Sequence, residues 1–239
     1  MDRAGSTRQA RPALDVLAMG AHPDDVEIFM GGTLRLLAKA GKRVGILDLT
    51  RGERGTRGSA AIRNRESACA AKVLGLCWRG SVGLPDGRLA PSPEFRERIA
   101  EYLRDLRPEV VLSVASDHRH PDHTAAEALS HDACFIAGLR AMKPGGSAPF
   151  RPRKFLLAAG FRTAPPNLIV DITSVMREKK DALRCYRSQF GPTGWRMLDW
   201  IEGRARSFGM LVRVPYGEGF IQREPFLTDD VTRLAGTSF

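Results

Sequence analysis

Apolar positions along the chain form short runs that alternate with longer amphipathic segments. Four short runs are typical of strands, and they span residues 14–21, 43–49, 77–84 and 109–115, with the third weaker than the others. Four segments with apolar residues at helical spacing follow these runs in turn, and they span residues 33–40, 63–74, 93–106 and 124–138. The alternation predicts an α/β protein with a Rossmann-like three-layer fold, in which helices cover both faces of a mainly parallel sheet.

Residues at the segment ends support these helices. Gly75 follows the second helical segment, and glycine commonly ends a helix. Ser92 before Pro93 is typical of an N-cap followed by proline in the first turn. Thr124 with Glu127 predicts a capping box at the start of the fourth helix.

The remainder of the chain has a less regular pattern. It predicts an exposed loop at 142–153, strands at 155–160 and 168–172, helices at 175–187 and 195–208, and a polar tail after them. Trp195, Trp200 and Phe208 recur at helical spacing, which favours a core role. We expect one catalytic domain over 13–228, between a flexible N-terminal tail at 1–12 and a C-terminal tail at 229–239.

The chain is basic, with a net charge of +10 and an isoelectric point of about 10.0. Such a charge suits nucleic acid, a membrane surface or an anionic small molecule. The basic residues are scattered, however. The sequence has no run of five basic residues and no zinc-finger spacing, which disfavours nucleic-acid binding. No stretch approaches the ~20 apolar residues of a membrane span, and no signal-peptide core is present. We therefore expect a cytoplasmic protein that binds neither nucleic acid nor membrane.

The four cysteines show no CxxC spacing. They are Cys69, Cys77, Cys134 and Cys185. This spacing argues against a disulfide scaffold and a cysteine-built zinc site, and we expect four inert thiols in a reducing compartment.

Histidine and aspartate concentrate in two places, directly after the first and fourth predicted strands. The first segment reads HPDDVE at 22–27, and the second reads HRHPDH at 118–123. In an open α/β sheet, ligands bind beyond the carboxyl ends of the strands, where the strand order reverses. With strand order 3-2-1-4, the first and fourth strands are neighbours, and the two segments face each other across one crevice.

Imidazole and carboxylate groups in this arrangement are good ligands for zinc. His22 and Asp25 are three residues apart, as are His120 and His123, so each pair can point the same way. Three protein ligands with an open position make a catalytic zinc site, which activates water and polarises a carbonyl. Proline and aspartate are also common in turns, so either motif alone can be purely structural.

Other catalytic signatures are absent from the sequence. It contains no GxSxG elbow and no GxxxxGK[ST] phosphate loop. Gly52, Gly55 and Gly58 follow the second strand without the dinucleotide-binding pattern, which favours a flexible substrate loop.

Several motifs resemble the PIG-L/LmbE family of zinc-dependent N-deacetylases, whose members have a Rossmann-like fold. The motifs are AHPDD at 21–25, GGTL at 31–34 and HPDH at 120–123. Weaker matches at 182–190 and 216–220 are similar to the branch that deacetylates N-acetyl-glucosaminyl-malate in bacillithiol synthesis. The resemblance thus implies hydrolysis of the acetamide of an N-acetylglucosamine conjugate.

The resemblance also implies roles for individual residues. His22, Asp25 and His123 would hold the metal, with Asp24 as the general base. His120 would stabilise the oxyanion or donate a proton, while Asp122 orients a nearby histidine. The implied metal is zinc, although iron suits the same ligands.

Glu53, Arg63 and Asp86 lie where relatives of this family contact the sugar. Trp200 departs from the tyrosine that some relatives carry in the late helix, which puts any role of that hydroxyl in doubt. Relatives are often homo-oligomers, and we expect the same here.

Two alternatives remain at this point. One is the same chemistry on another amino-sugar conjugate or a thiol-conjugate amide. The other, from a different class, is a basic α/β module that binds nucleic acid or a nucleotide, with the His/Asp segments merely structural.

Overall fold

A computed structural model describes residues 11–116, 120–142, 146–160, 162–191, 195–225, 227–230 and 232, with the Trp195 side chain left out. Seven strands form one sheet in the order β3-β2-β1-β4-β5-β7-β6. The strands are β1 Val16–Gly20, β2 Val44–Asp48, β3 Trp78–Ser81, β4 Val110–Val114, β5 Lys154–Ala158, β6 Leu168–Asp171 and β7 Gly217–Ile221. The helices are α1 Asp25–Lys39, α2 Ala60–Leu74, α3 Pro93–Leu106, α4 Pro121–Ala137, α5 Met176–Arg184, α6 Arg187–Phe190 and α7 Trp195–Leu211.

The first five strands are parallel, and β1 lies at their centre between β2 and β4. Successive side chains of a strand point to opposite faces of the sheet. Leu17 and Met19 accordingly pack in the core with α3 and α4, whereas Val16 and Ala18 pack in the core with α1. Both faces of β1 are therefore buried, and the predicted three-layer α/β fold is confirmed.

The C-terminal part of the sheet contains a strand that the sequence pattern did not predict. β7 lies between β5 and β6 and is antiparallel to both. Its sequence, GEGFI, has two glycines and a glutamate among five residues, so it lacks the apolar run or alternation that indicates a strand. The prediction of a polar tail after α7 was therefore wrong at 217–221.

Two helices begin earlier than predicted. α1 begins at Asp25, and α4 begins at Pro121 with His120 as its N-cap. The predicted capping box at Thr124 was wrong, because proline at the first helical position already starts the helix three residues before it. By contrast, Ser92 caps α3 as predicted, with its Oγ accepting a hydrogen bond from the Phe95 amide at 3.2 Å.

The expectation of four unlinked thiols was also wrong. Cys69 in α2 and Cys185 directly after α5 form a disulfide, with their Cα atoms 5.8 Å apart. The two residues are 116 positions apart, so their pairing depends on the packing of α5 against α2 and not on a local motif. Cys77 and Cys134 remain free.

The segment predicted as one helix over 175–187 ends at Arg184, and the four-residue α6 follows. Trp200 on α7 is 37% exposed, which contradicts its predicted core role, whereas Phe208 is buried as predicted. Within the described ranges, no helix is both long enough and apolar enough to cross a membrane.

Candidate metal centre

The strand order brings the two His/Asp segments together. β1 and β4 are adjacent and parallel, so their carboxyl ends lie at the same edge of the sheet. His22 and Asp24 lie in the turn between β1 and α1, while His120 and His123 lie at the start of α4. His118 and Arg119 lie outside the described residues.

The turn before α1 has an unusual backbone. Asp24 is the N-cap of α1 and has φ 116°, in a region that residues other than glycine rarely adopt. Such conformations cost about 1–3 kcal/mol and tend to occur at functional sites. The His22 amide donates a hydrogen bond to Asp25 Oδ2 at 2.8 Å, which closes the turn across the strained residue.

His22, Asp25 and His123 offer donor atoms that all lie within 4.8 Å of one another. Asp25 faces both imidazoles, with Oδ2 3.4 Å from His22 Nδ1 and Oδ1 3.2 Å from His123 Nε2. Two nitrogens and a carboxylate oxygen at this spacing match the donor set of a catalytic zinc site. The residues present therefore fit a divalent metal ion.

A second group, His22, His120 and Asp122, also lies within 4.8 Å. Its atoms already have other partners. Both Asp122 oxygens accept backbone hydrogen bonds, from Gly87 at 2.7 Å and Leu89 at 3.2 Å. His120 Nδ1 accepts one from the Asp122 amide at 3.2 Å. The first group is thus the better metal site, and the second holds its neighbours in place.

His22 lies among several carboxylates. Its Nε2 is 3.1 Å from Asp86 Oδ1 and 3.4 Å from Asp122 Oδ2. Burial on its own lowers the pKa of His22, but the hydrogen bond and charge of Asp25, together with Asp86 and Asp24, raise it to about 9. This surplus of negative charge favours any cation at the site, whether a proton or a metal ion.

The carboxyl group of Asp24 is held beside this cluster. Arg63 Nη2 lies 3.2 Å from Asp24 Oδ1 and also donates to the Pro23 carbonyl. Burial raises the pKa of Asp24 to about 8, against the opposing charge of Arg63 and with the help of Asp25 and Glu27. A carboxylate whose pKa lies near neutrality is suited to accept and return a proton.

A cavity of about 270 Å³ opens onto these groups. Its lining residues are His22, Asp24, Gly52, Arg54, Gly55, Thr56, Arg63, Asp86, His120 and Gln189. The glycine-containing segment after β2 therefore forms one wall of the cavity. A larger cavity of about 540 Å³ lies between α2, β3 and the end of β2, and its lining contains no histidine.

The three residues predicted to contact substrate have different surroundings. Arg63 and Asp86 line the cavity. Glu53 is exposed and does not line it, because its carboxylate accepts hydrogen bonds from the Asp86 amide at 2.8 Å and the Arg51 amide at 3.2 Å. Glu53 thus connects the glycine-containing segment after β2 to the segment that carries Asp86.

Sequence reasoning missed several polar residues around the site. Gln189 and Arg54 line the cavity. Gln189 lies in the 182–190 segment, which was matched by resemblance but given no role, and Arg54 belongs to no motif. A buried ion cluster also lies behind α1, where Arg79 pairs with Glu27 at 2.5 Å and with Asp48 at 2.9 Å. Glu27 lies in the HPDDVE segment, but only the fold reveals its partner.

With this geometry established, the chain can be compared with known proteins. A family model described as PIG-L, GlcNAc-PI de-N-acetylase, matches residues 17–134. A diacetylchitobiose deacetylase from Thermococcus kodakarensis is 31% identical over 216 residues, which are 85% of this chain and 81% of that enzyme. The chain belongs to the PIG-L family.

Two further similarities extend this finding. The crystal structure of the conserved protein TT1542 from Thermus thermophilus superimposes with a TM-score of 0.85 at 40% identity, covering 92% of this chain and all of that one. A 4-oxalmesaconate hydratase from Pseudomonas putida is 29% identical over 200 residues, 74% of this chain and 75% of that enzyme. The proteins similar to this PIG-L chain therefore include a hydratase as well as a deacetylase.

Proposed function

We propose that this PIG-L protein is a zinc-dependent N-deacetylase that hydrolyses the acetamide of an N-acetylglucosamine conjugate. The observation that carries the proposal is the group of His22, Asp25 and His123, of which His22 lines the cavity together with Asp24. The similarity to a diacetylchitobiose deacetylase supports both the reaction and the sugar.

His22, Asp25 and His123 would hold a zinc ion, which would supply Lewis acidity toward the acetyl carbonyl and toward water. Asp24 takes a proton from the attacking water, since its pKa of about 8 allows it to hold that proton and return it. Arg63 fixes the Asp24 carboxyl group through their contact at 3.2 Å.

His120 acts on the carbonyl oxygen of the scissile amide. Its Nδ1 accepts the Asp122 amide hydrogen, so the neutral ring carries its proton on Nε2. Burial lowers the pKa of His120 and so favours this neutral form. The Nε2–H group is then a hydrogen-bond donor to the developing oxyanion. The leaving amine takes up the proton that Asp24 removed from the water.

For the aglycone, we propose malate, as in N-acetyl-glucosaminyl-malate. Arg54 and Arg63 both line the cavity, and arginine matches carboxylates well. Gln189, from one of the segments that resemble the malate-specific branch, lines it too. Another amino-sugar or thiol-conjugate amide is the alternative within the same chemistry.

A second candidate is addition of water to an unsaturated acid, which the similarity to 4-oxalmesaconate hydratase favours. Both reactions need activated water and a proton donor, so the metal ligands alone do not distinguish them. The substrate does.

The test is amine release from three substrates: N-acetyl-glucosaminyl-malate, diacetylchitobiose and N-acetyl-glucosaminyl-inositol. Each is assayed with the protein as isolated, after chelation, and after zinc is restored. We expect release that stops with chelator and returns with zinc, fastest on the malate conjugate. Faster release from another conjugate would discard malate, and hydration of 4-oxalmesaconate without any amine release would discard the deacetylase.

A further inference from the structure

Helix α1, whose first turn carries the candidate metal ligand Asp25, is broken in its middle. Met30 has φ −143° and ψ 15°, which interrupts the helix between its first five residues and the segment that starts at Gly31. In a regular helix the Gly32 amide donates to the Ile28 carbonyl four residues before it. A break of this kind leaves backbone groups that need other partners, because buried backbone groups are almost always hydrogen-bonded.

Glu218 of β7 supplies the acceptors. Its Oε1 accepts the Gly32 amide at 2.9 Å, and its Oε2 accepts the Thr33 amide and the Thr33 hydroxyl, each at 2.6 Å. The carboxylate thus caps the second segment of α1 from another part of the chain. Such a cap gives the amides that lack a helix partner an acceptor, and its negative charge suits the positive end of the helix dipole.

Cations from two further helices supply the donors for the other side of the break. Lys179 Nζ of α5 donates to the Ile28 carbonyl at 2.9 Å, and Arg204 of α7 donates to the same oxygen. Lys179 Nζ also lies 2.5 Å from Glu218 Oε1. All three charged residues are at most 3% exposed, so the network is screened from water.

The network reaches the metal site through one residue. The Ile28 amide donates to the Asp24 carbonyl at 2.9 Å, while the Ile28 carbonyl accepts from Lys179 and Arg204. The first turn of α1, which bears Asp24 and Asp25, is therefore held at its far end by a buried ion pair from β7 and α5.

We propose that Glu218 is a positioning residue for the metal centre: through Lys179 and Ile28 it fixes the first turn of α1, and hence the placement of Asp25 against His22 and His123. This inference rests on the proposed metal site, but it makes a separate claim, because Glu218 contacts none of the metal ligands. It also gives a role to the YGEGF segment at 216–220, which sequence reasoning could not explain.

The test compares Glu218→Gln with Glu202→Gln. Both changes remove the charge from a glutamate paired with a lysine of α5, since Glu202 pairs with Lys180 at 2.5 Å. Glu202 lies on α7 and forms its hydrogen bonds with Lys180, Arg206 and Tyr216, so it serves as the matched control.

Two readouts are independent of turnover: zinc affinity from competition with a chelator, and the visible absorption spectrum of the cobalt-substituted protein. Both are measured well below the unfolding temperature of each variant. For Glu218→Gln we expect zinc affinity to fall about 10-fold, as is typical when groups behind a metal ligand are removed, together with a changed cobalt spectrum. For Glu202→Gln we expect neither change.

The double variant Glu218→Gln with Lys179→Met covers the case in which the single variant does not fold. It leaves no unpaired buried ammonium, so its unfolding temperature recovers relative to the single variant. Its zinc affinity stays low, because the amides of Gly32 and Thr33 still lack a carboxylate.

Zinc affinity and a cobalt spectrum like those of the parent protein, in a folded Glu218 variant, would overturn the inference and leave the metal site standing. Failure of the parent protein to bind zinc would instead reject the proposed metal site itself. The two failures are therefore distinguishable.

Discussion

The two halves of the sheet differ in how they serve the site. The half built from β1 to β4 is parallel and contributes its side chains directly, through the turns that follow β1 and β4. The half that includes β6 and β7 is antiparallel and contributes a buried ion pair, Lys179 with Glu218, behind α1. Residues that contact none of the metal ligands can therefore still affect the site. We expect substitutions at the site residues of the first half to abolish deacetylation, and substitutions in the second half to reduce it only partly.

The largest effect is expected from His123→Ala. Loss of this ligand removes one of three donors, so zinc content falls from about one per chain to near zero and deacetylation falls to background. Zinc is measured by elemental analysis of the dialysed protein. His131→Ala is the control, because His131 lies on the same helix and is half exposed, away from the cluster. Full zinc content in His123→Ala would remove this residue from the metal site.

The next effect is expected from Asp24→Asn. The amide cannot accept the water proton, and general-base catalysis contributes about 10²- to 10⁴-fold, so kcat falls by that factor while zinc stays bound. Asparagine also tolerates the left-handed backbone at this position, so the turn is kept. The measurement is kcat together with zinc content of the same sample. Near-normal turnover would exclude Asp24 as the base.

A smaller effect is expected from Arg63→Met. The guanidinium holds both the Asp24 carboxyl group and the Pro23 carbonyl, so its loss misplaces the base and kcat falls about 10²-fold. Arg65→Met on the same helix is the control, because Arg65 is exposed and does not line the cavity. Equal rates for the two variants would show that Arg63 does not position the base.

The smallest effect on chemistry is expected from Cys69→Ser. A disulfide that closes a loop of this length typically adds about 2–4 kcal/mol to the free energy of unfolding, mainly by restricting the unfolded chain. We therefore expect lower stability in urea and an unchanged kcat. Cys77→Ser, at a free and exposed cysteine, should change neither quantity. A large loss of kcat in Cys69→Ser would mean that the C-terminal half takes a more direct part in catalysis.

The parallel half was predictable because its signals are local. Short apolar runs indicated β1, β2 and β4, and the order of strands then placed His22 and His123 at one edge. The family resemblance rests on motifs in the same region. The helix start at Pro121 was placed too late, because the polar residues of its first turn carry no apolar period. The start at Asp25 was also placed too late, although Val26, Phe29 and Met30 have helical spacing.

The antiparallel half was not predictable in the same way. Nothing in GEGFI indicates a strand, and nothing near Glu218 indicates that its partners lie in α1, 185 and 186 positions away. The pairing of Cys69 with Cys185 and of Arg79 with Glu27 depends likewise on how helices pack. Such contacts are set by the tertiary fold and leave no period or spacing in the sequence.

The position of β7 between β5 and β6 also has a consequence for biosynthesis. The strands before it are made in time to pair with earlier ones, but β6 has no neighbour in the sheet except β7 among the residues that the structure describes. During translation, β6 therefore leaves the ribosome without a strand to pair with. The break in α1 must likewise wait for Glu218, which is made about 190 residues after it. A nascent chain that stalls before residue 217 would thus hold all the candidate metal ligands without the strand that steadies them, and would be a natural substrate for chaperones.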